Sequence, residues 1–259
     1  MATKKPNKDA LSLNVYNGQV TVYHLPQDVY FYNSERLMSA VNKSFPKVKF
    51  KYGSPDYKLY SAIHDNIYMF SGAKTFWQTL DMSNELIKGG NLVPYEDFSV
   101  KADAIFDQYN ENWLRTEYET AKDAARLASK WVDFERNKKA NPYLTYVTEG
   151  DETVCEICGP FDGISAPVDD PIWNKIAVPQ HFNCHCDIEA HDDPDDVSDK
   201  SEIDEAFDTW NGAKELKFKN NVGKTGQVFS NKHPYFTIPK QYRKLAMDNF
   251  GLPIPKLNG

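Results

Sequence analysis

Two short clusters of soft ligands constrain this chain more than any other feature: Cys155-Glu-Ile-Cys158, and His181-Phe-Asn-Cys184-His185-Cys186, separated by a Pro- and Asp-rich segment from Gly159 to Gln180. Together they hold all four cysteines and two of the six histidines. In C-x-x-C both thiolates face one turn, and a facing H-x-x-C can complete a tetrahedron, which is the spacing of a structural zinc site. A chain clamped at two such points draws folding energy directly from the ion. Cys155 and Cys158 are the expected first pair of ligands. His181, Cys184 and Cys186 compete for the other two positions. If residues 184–188 are extended, Cys184 and Cys186 share one face and His185 points away. The alternative is a pair of disulfides in a secreted protein. It is disfavoured because Met1 to Asn14 holds no apolar run of signal-peptide type, and a chain of 259 residues needs no covalent staples to form a core.

That length suits one or two domains, and 41% hydrophobic residues with 15 Tyr and 15 Phe exclude wholesale disorder. A net charge of -7 argues against a surface that coats nucleic acid, which needs clustered Lys and Arg. No apolar run approaches the ~20 residues of a membrane helix, so no membrane is expected as a partner.

Taken in order, residues 1–14 read as a flexible basic tail with Lys4, Lys5 and Lys8. Residues 15–93 read as a strand or hairpin over Val15 to Tyr32, broken at Pro26, followed by helices. One helix opens at Ser34; a second opens at Ser54-Pro55-Asp56, with Ser54 as N-cap and Leu59, Ile63, Ile67 and Phe70 on one stripe; a third runs from Lys74 to Ile87 and stops at Gly89-Gly90. Residues 94–190 form the predicted core domain. It starts with a helix from Tyr95 to Gln108 and continues with the strongest helical signal, in which Trp113, Leu114, Tyr118, Ala121, Ala125, Ala128, Trp131 and Phe134 recur at helical spacing. Arg115 and Glu119 are expected to pair on its exposed face. Tyr143 to Thr148 is β-branched and aromatic, hence a strand, with Cys184 to Glu189 as its antiparallel partner. Phe161-Asp-Gly163 is a turn, and Trp173 is expected to be buried. Residues 191–209 are an acidic linker and 210–259 an aromatic C-terminal arm. Gly223-Lys224-Thr225 is not a phosphate loop, because Phe218 stands where a Walker A needs Gly. The expected fold is α+β: a mainly helical N-terminal half packed on a small antiparallel sheet that carries a zinc-knuckle-like Cys/His site, with an extended C-terminal arm.

Three separated features resemble one family, the phage Mu F-like minor head proteins, or phage head morphogenesis proteins. Trp113-Leu-Arg-Thr-Glu117 in a long Ala-rich helix resembles the family's Arg-Thr-Glu helix. Cys155-x-x-Cys158 with Asp162-Gly163, then Pro179-x-His181-x-x-Cys184-x-Cys186, resembles its metal-like signature. Gly223-Lys-Thr-Gly226 ahead of Phe229 and His233-Pro-Tyr-Phe236 resembles a tail found in many members. The sequence departs from the pattern at His185, where the family has Arg, and at Phe182, where it has Pro. The resemblance implies a low-copy virion component, located in the head or at the portal vertex and in the host cytoplasm during assembly. Its implied partners are the portal protein, with scaffold or major capsid protein, and packaged DNA through the basic N-terminal tail.

Three functions compete. The first is an assembly protein without enzymatic activity, whose helical faces and aromatic ends bind portal and scaffold. The second is a zinc-containing DNA-binding or HNH-like nuclease module using His181, His185 and Asp187 beside the knuckle. It is disfavoured because a closed structural site consumes the obvious donors that an open catalytic ion would need. The third is a zinc-stabilised interaction domain unrelated to phage.

Overall fold

The computed structural model describes residues 4–45, 51–150, 155–212 and 218–257. Among these residues the elements are helices α1 (Lys8–Tyr16), α2 (Gln27–Ser44) and α3 (Pro55–Asn84), strands β1 (Ile87–Lys88) and β2 (Asn91–Leu92), and helices α4 (Tyr95–Asp107) and α5 (Leu114–Asn137). Strand β3 (Tyr143–Val147), strand β4 (Ser165–Pro167), helix α6 (Trp173–Ile176), strand β5 (Asp187–His191), and helices α7 (Lys200–Gly212), α8 (Val222–Thr225) and α9 (Arg243–Met247) follow. The α+β class holds. The chain divides into two compact units: one of Met1–Ser39, His64–Tyr118 and Asn231–Asn258, the other mainly of Ala40–Ile63 and Glu119–Ser230.

In the first unit, the basic tail expected over 1–14 gives way to α1. Asn7 caps this helix, its side chain accepting from the Ala10 N–H. Leu11 and Val15, one turn apart, bury against Phe98, Ala102 and Phe106 of α4, with Val29 and Met82 completing the cluster. Leu11, Leu13 and Val15 alternate rather than follow a helical period, and Leu13 is exposed, so only the tertiary partner reveals the helix. Lys5 and Lys8 pair with Glu111 and Asp107 of the same unit. The expected strand over Val15 to Tyr32 is also corrected. It comprises the end of α1, a single bridge Thr21↔His24, and the start of α2, where the Pro26 carbonyl accepts the Tyr30 N–H. Pro26 opens a helix rather than breaking a strand.

The two helices expected over 55–87 are one, α3, capped at Ser54 as predicted, with its hydroxyl accepting from the Tyr57 N–H at 3.2 Å. Gly72 lies inside it because a Cβ there would meet Asn249 Oδ1 at 2.3 Å. Gly89-Gly90, read as a helix stop, instead turns the β1–β2 hairpin, both residues having positive φ. Between α4 and α5 one π-helical turn, Gln108–Trp113, shifts the register. Trp113 therefore leaves the predicted apolar stripe and is 41% exposed, whereas Leu114 and Glu117 turn inward. The aromatic C-terminal segment is built from short turns, and its rings pack on α3: Phe250 stacks on Phe76 at 4.8 Å, and His233, Tyr235 and Phe236 surround Phe70.

His233 caps the turn it begins, its Nδ1 accepting from the Tyr235 N–H at 3.1 Å. Burial, aided by the Lys74 charge, lowers its pKa from 6.5 to about 4. The folded value lies below the unfolded one, so this contribution is present above pH 6.5 and is lost as pH falls through 4. Full expression of the shift is worth at most ~3 kcal/mol, and partial exposure reduces it. His233→Asn keeps a capping oxygen but cannot protonate. Its denaturant midpoint should therefore fall less than the parent's between pH 6.5 and 4, and equal slopes would contradict the assignment.

In the second unit, β3 is the centre of a three-stranded antiparallel sheet ordered β4-β3-β5. The predicted pairing is present, with Val147↔Asp187, Tyr146↔Ile188 and Leu144↔Ala190 in register; β4, opposite Tyr143–Thr145, was not foreseen. Leu144, Tyr146 and Ile188 are each fully buried on one face of the pleat. The Phe161-Asp-Gly163 turn forms, with the Ile164 N–H donating to the Phe161 carbonyl, and Trp173 is fully buried. The part of the acidic stretch from Lys200 onward is helical. The Asp199 carboxylate accepts from Ser201 and Glu202 N–H while the Glu202 carboxylate accepts from Asp199 N–H, a reciprocal capping box. Ala206 and Trp210 bury that helix, and Phe207 meets Phe161 edge-on. The glycines of Gly223-Lys-Thr-Gly226 serve packing. A Cβ on Gly223 would lie 2.2 Å from Trp131 Cβ, and one on Gly226 would lie 2.4 Å from Ala62 Cβ.

Candidate metal centre

The first knuckle is a tight turn in which the Cys158 and Gly159 N–H groups both donate to the Cys155 carbonyl. Ile157 and Phe161, both buried, anchor it. The second cluster lies on the approach to β5, whose register against β3 fixes the residues just before it. Asn183 adopts a left-handed conformation (φ 57°) that turns the chain between His181 and Cys184. Cys184 and Cys186 are buried and the intervening His185 is exposed, which is the alternation expected of an extended approach.

These two segments bring together all five residues singled out in the sequence. His181 Nε2 lies 3.0 Å from Cys155 Sγ and 3.4 Å from Cys158 Sγ, and Cys158 Sγ lies 3.7 Å from Cys184 Sγ. Cys155, Cys158 and His181 form one group able to hold a metal ion, and Cys158, Cys184 and Cys186 a second, with donor atoms within 4.8 Å of one another in each. The disulfide alternative is not realised: all four cysteines are free thiols. The 3.7 Å sulfur separation is far from a ~2.05 Å S–S bond, but it matches the roughly 3.8 Å edge of a tetrahedron with ~2.3 Å metal–sulfur bonds.

Electrostatics agree with that fit. The Cys184 thiol is held well below the usual range by hydrogen bonds from Cys158 and then Cys186, while Cys158 is raised by its hydrogen bond to Cys184 and by burial. Hydrogen bonding to Cys158 draws Cys186 down, but its bond to Cys184 and its burial outweigh that, and it is pushed up to about 12. Among Cys158, Cys184 and Cys186, a first negative charge is therefore accepted more readily than a second. His181 is pushed up to about 9, first by its hydrogen bond to Cys184 and against desolvation. A divalent cation would relieve the repulsion that keeps the other thiols protonated. The His181 ring is already oriented for a ligand: the Phe182 carbonyl, which can only accept, takes the Nδ1 proton at 2.7 Å and leaves Nε2 facing the sulfurs.

A supporting relay escaped the sequence reading. The Trp210 indole N–H donates to Gln180 Oε1 at 3.0 Å, and Gln180 Nε2 donates to the Tyr146 hydroxyl at 3.1 Å. The Tyr146 hydroxyl in turn contacts the thiols of Cys158 and Cys186. Its members are 30 and 34 residues apart in sequence, and nothing local marks them. Asp187, beside Cys186, is clamped by Arg126 and Lys130 of α5, each at 2.6 Å. Glu119, expected to pair with Arg115, pairs with Lys122.

Residues 82–189 match the model of the family described as Phage Mu protein F like protein. No curated protein and no solved structure matches the chain. The matched stretch runs from the end of α3 through most of β5 and contains Glu117 and all five candidate ligands. Over residues 82–189, therefore, this chain is similar to the Phage Mu protein F-like family.

Proposed function

We propose that this protein acts in bacteriophage head morphogenesis as a minor virion component, associated with the portal while the prohead assembles in the host and DNA is packaged. The observation that carries this reading is the family match over residues 82–189. The same reading makes the Cys/His cluster a structural zinc site. All its donors are sulfur or imidazole nitrogen, the set that zinc favours over harder ions. An ion that took four of these donors would keep no open position for a substrate or a catalytic water. The site would then clamp the two chain segments that flank β3 and β5.

A structural role also fits the residues a nuclease would use. Of His181, His185 and Asp187, the first faces the sulfurs and the third is held by two cations, leaving only His185 exposed and uncommitted to the cluster. Among the described residues no helix is long and apolar enough to cross a membrane. A phage lacking this gene should give few heads with a full complement of DNA, and expression of the protein in trans should restore them. Normal heads with normal DNA content in the deletion would overturn the proposal.

A further inference from the structure

A single tetrahedral ion takes four ligands, and this site offers five. Resting on the metal reading above, we propose that the ion is held by Cys155, Cys158, His181 and Cys184, and that Cys186 is a fifth, uncoordinated thiol held beside the site by the Tyr146 hydroxyl.

The assignment follows from which atoms surround His181. Its Nε2 lies 3.0 Å and 3.4 Å from the sulfurs of Cys155 and Cys158, and the ring also hydrogen-bonds with Cys184. Cys158 and Cys184 are 3.7 Å apart, a tetrahedral edge. Cys186 makes a different set of contacts, with Cys158, Cys184 and Tyr146. Its place is also fixed from outside the cluster. The Cys186 carbonyl accepts from Arg126 at 3.3 Å, and the next residue enters β5 opposite Val147. A sulfur anchored by the strand has little freedom to approach an ion centred on the imidazole side.

Tyr146 supplies the reason Cys186 is tolerated there. The indole N–H of Trp210 can only donate, so Gln180 must present Oε1 to it and its NH2 to Tyr146. The Tyr146 oxygen is thus already an acceptor, and its own proton is left to donate to sulfur. Two ions bridged by Cys158 are the other way to use five donors. They would leave each ion short of ligands, with three protein donors apiece.

Cobalt(II) separates these arrangements, because the intensity of its sulfur-to-metal charge-transfer absorption grows with the number of bound thiolates. The test uses the full chain produced with cobalt, and the parent is compared with Cys186→Ser, Cys155→Ser, Cys184→Ser and Tyr146→Phe. We expect one cobalt per chain with three-thiolate intensity in the parent, unchanged in Cys186→Ser. Cys184→Ser and Cys155→Ser should each lose the metal or about a third of the band, one thiolate in three. Alkylation of the metal-loaded parent should label one thiol, Cys186, with severalfold faster labelling in Tyr146→Phe and none in Cys186→Ser. Four-thiolate intensity, two ions per chain, or loss of cobalt in Cys186→Ser with retention in Cys155→Ser would overturn the assignment. A parent that takes up neither cobalt nor zinc would overturn the metal reading itself.

Discussion

Replacing Cys155 and Cys158 together by Ser should remove the metal and abolish cooperative unfolding of the sheet that carries the site. Structural zinc contributes ~10–16 kcal/mol to the folding of small peptide domains that depend on it. This unit has a hydrophobic core of its own, including Leu144, Tyr146, Phe161, Trp173 and Ile188, so less than that is at stake here. Two effects set a floor. Tying the first knuckle to His181, 26 residues away, reduces unfolded-chain entropy by an amount worth ~3–4 kcal/mol. Without the ion, the thiols of Cys158, Cys184 and Cys186 also remain crowded in a buried space that opposes their ionisation. Thermal unfolding followed by near-ultraviolet circular dichroism should show a much lower and broader transition in the double variant. A strong chelator should produce the same change in the parent, and zinc should reverse it. Identical transitions with and without chelator would show that the cluster is held by packing alone.

The reading of the Cys/His clusters rested on local spacing, which explains why the five residues it singled out come together. C-x-x-C and H-x-x-C-x-C specify their own turns, and β3 and β5 are adjacent strands whose composition alone marks them. The failures have physical causes of a different kind. α1 is held by long-range burial of two side chains, and its sequence resembles a solvated tail. The π-helical turn at Gln108–Trp113 adds an offset that helical periodicity cannot register, and so Trp113 was expected on the apolar stripe while the inward turn of Glu117 was not foreseen. In α7 the signal was present and misweighed: Asp199-Lys-Ser-Glu202 is a capping-box sequence, but the surrounding acidic run suggested a linker. The Trp210–Gln180–Tyr146 relay and the packing roles of Gly223 and Gly226 exist only between segments distant in sequence.

Lys74→Met should destabilise the first unit by ~3–5 kcal/mol, a consequence of the inward turn of Glu117. Lys74 is fully buried on α3, and its ammonium pairs with the Glu117 carboxylate at the start of α5, whose side chain is 5% exposed. The Tyr235 hydroxyl donates to the same carboxylate, while the indole N–H of Trp77 donates to the Tyr235 carbonyl at 2.9 Å. Burial lowers the pKa of Lys74 and raises that of Glu117, and each partner's charge opposes the other's shift. The pair therefore persists as a mutual requirement: removing the lysine leaves a carboxylate with no cation in a dry interior. Glu117→Gln should also be destabilising, because it leaves the buried Lys74 ammonium without an anion, softened only because the amide oxygen can still accept from Lys74 and Tyr235. The double change Lys74→Met, Glu117→Leu removes both charges in an apolar, similar-sized replacement. It should recover most of the loss, giving a double-mutant cycle with a large favourable coupling term. Denaturant midpoints at constant slope provide the measurement. A Lys74→Met protein as stable as the parent would show that Glu117 is neutral in the fold and that the contact carries no charge. Strict additivity of the two changes would show that the two groups do not sense one another.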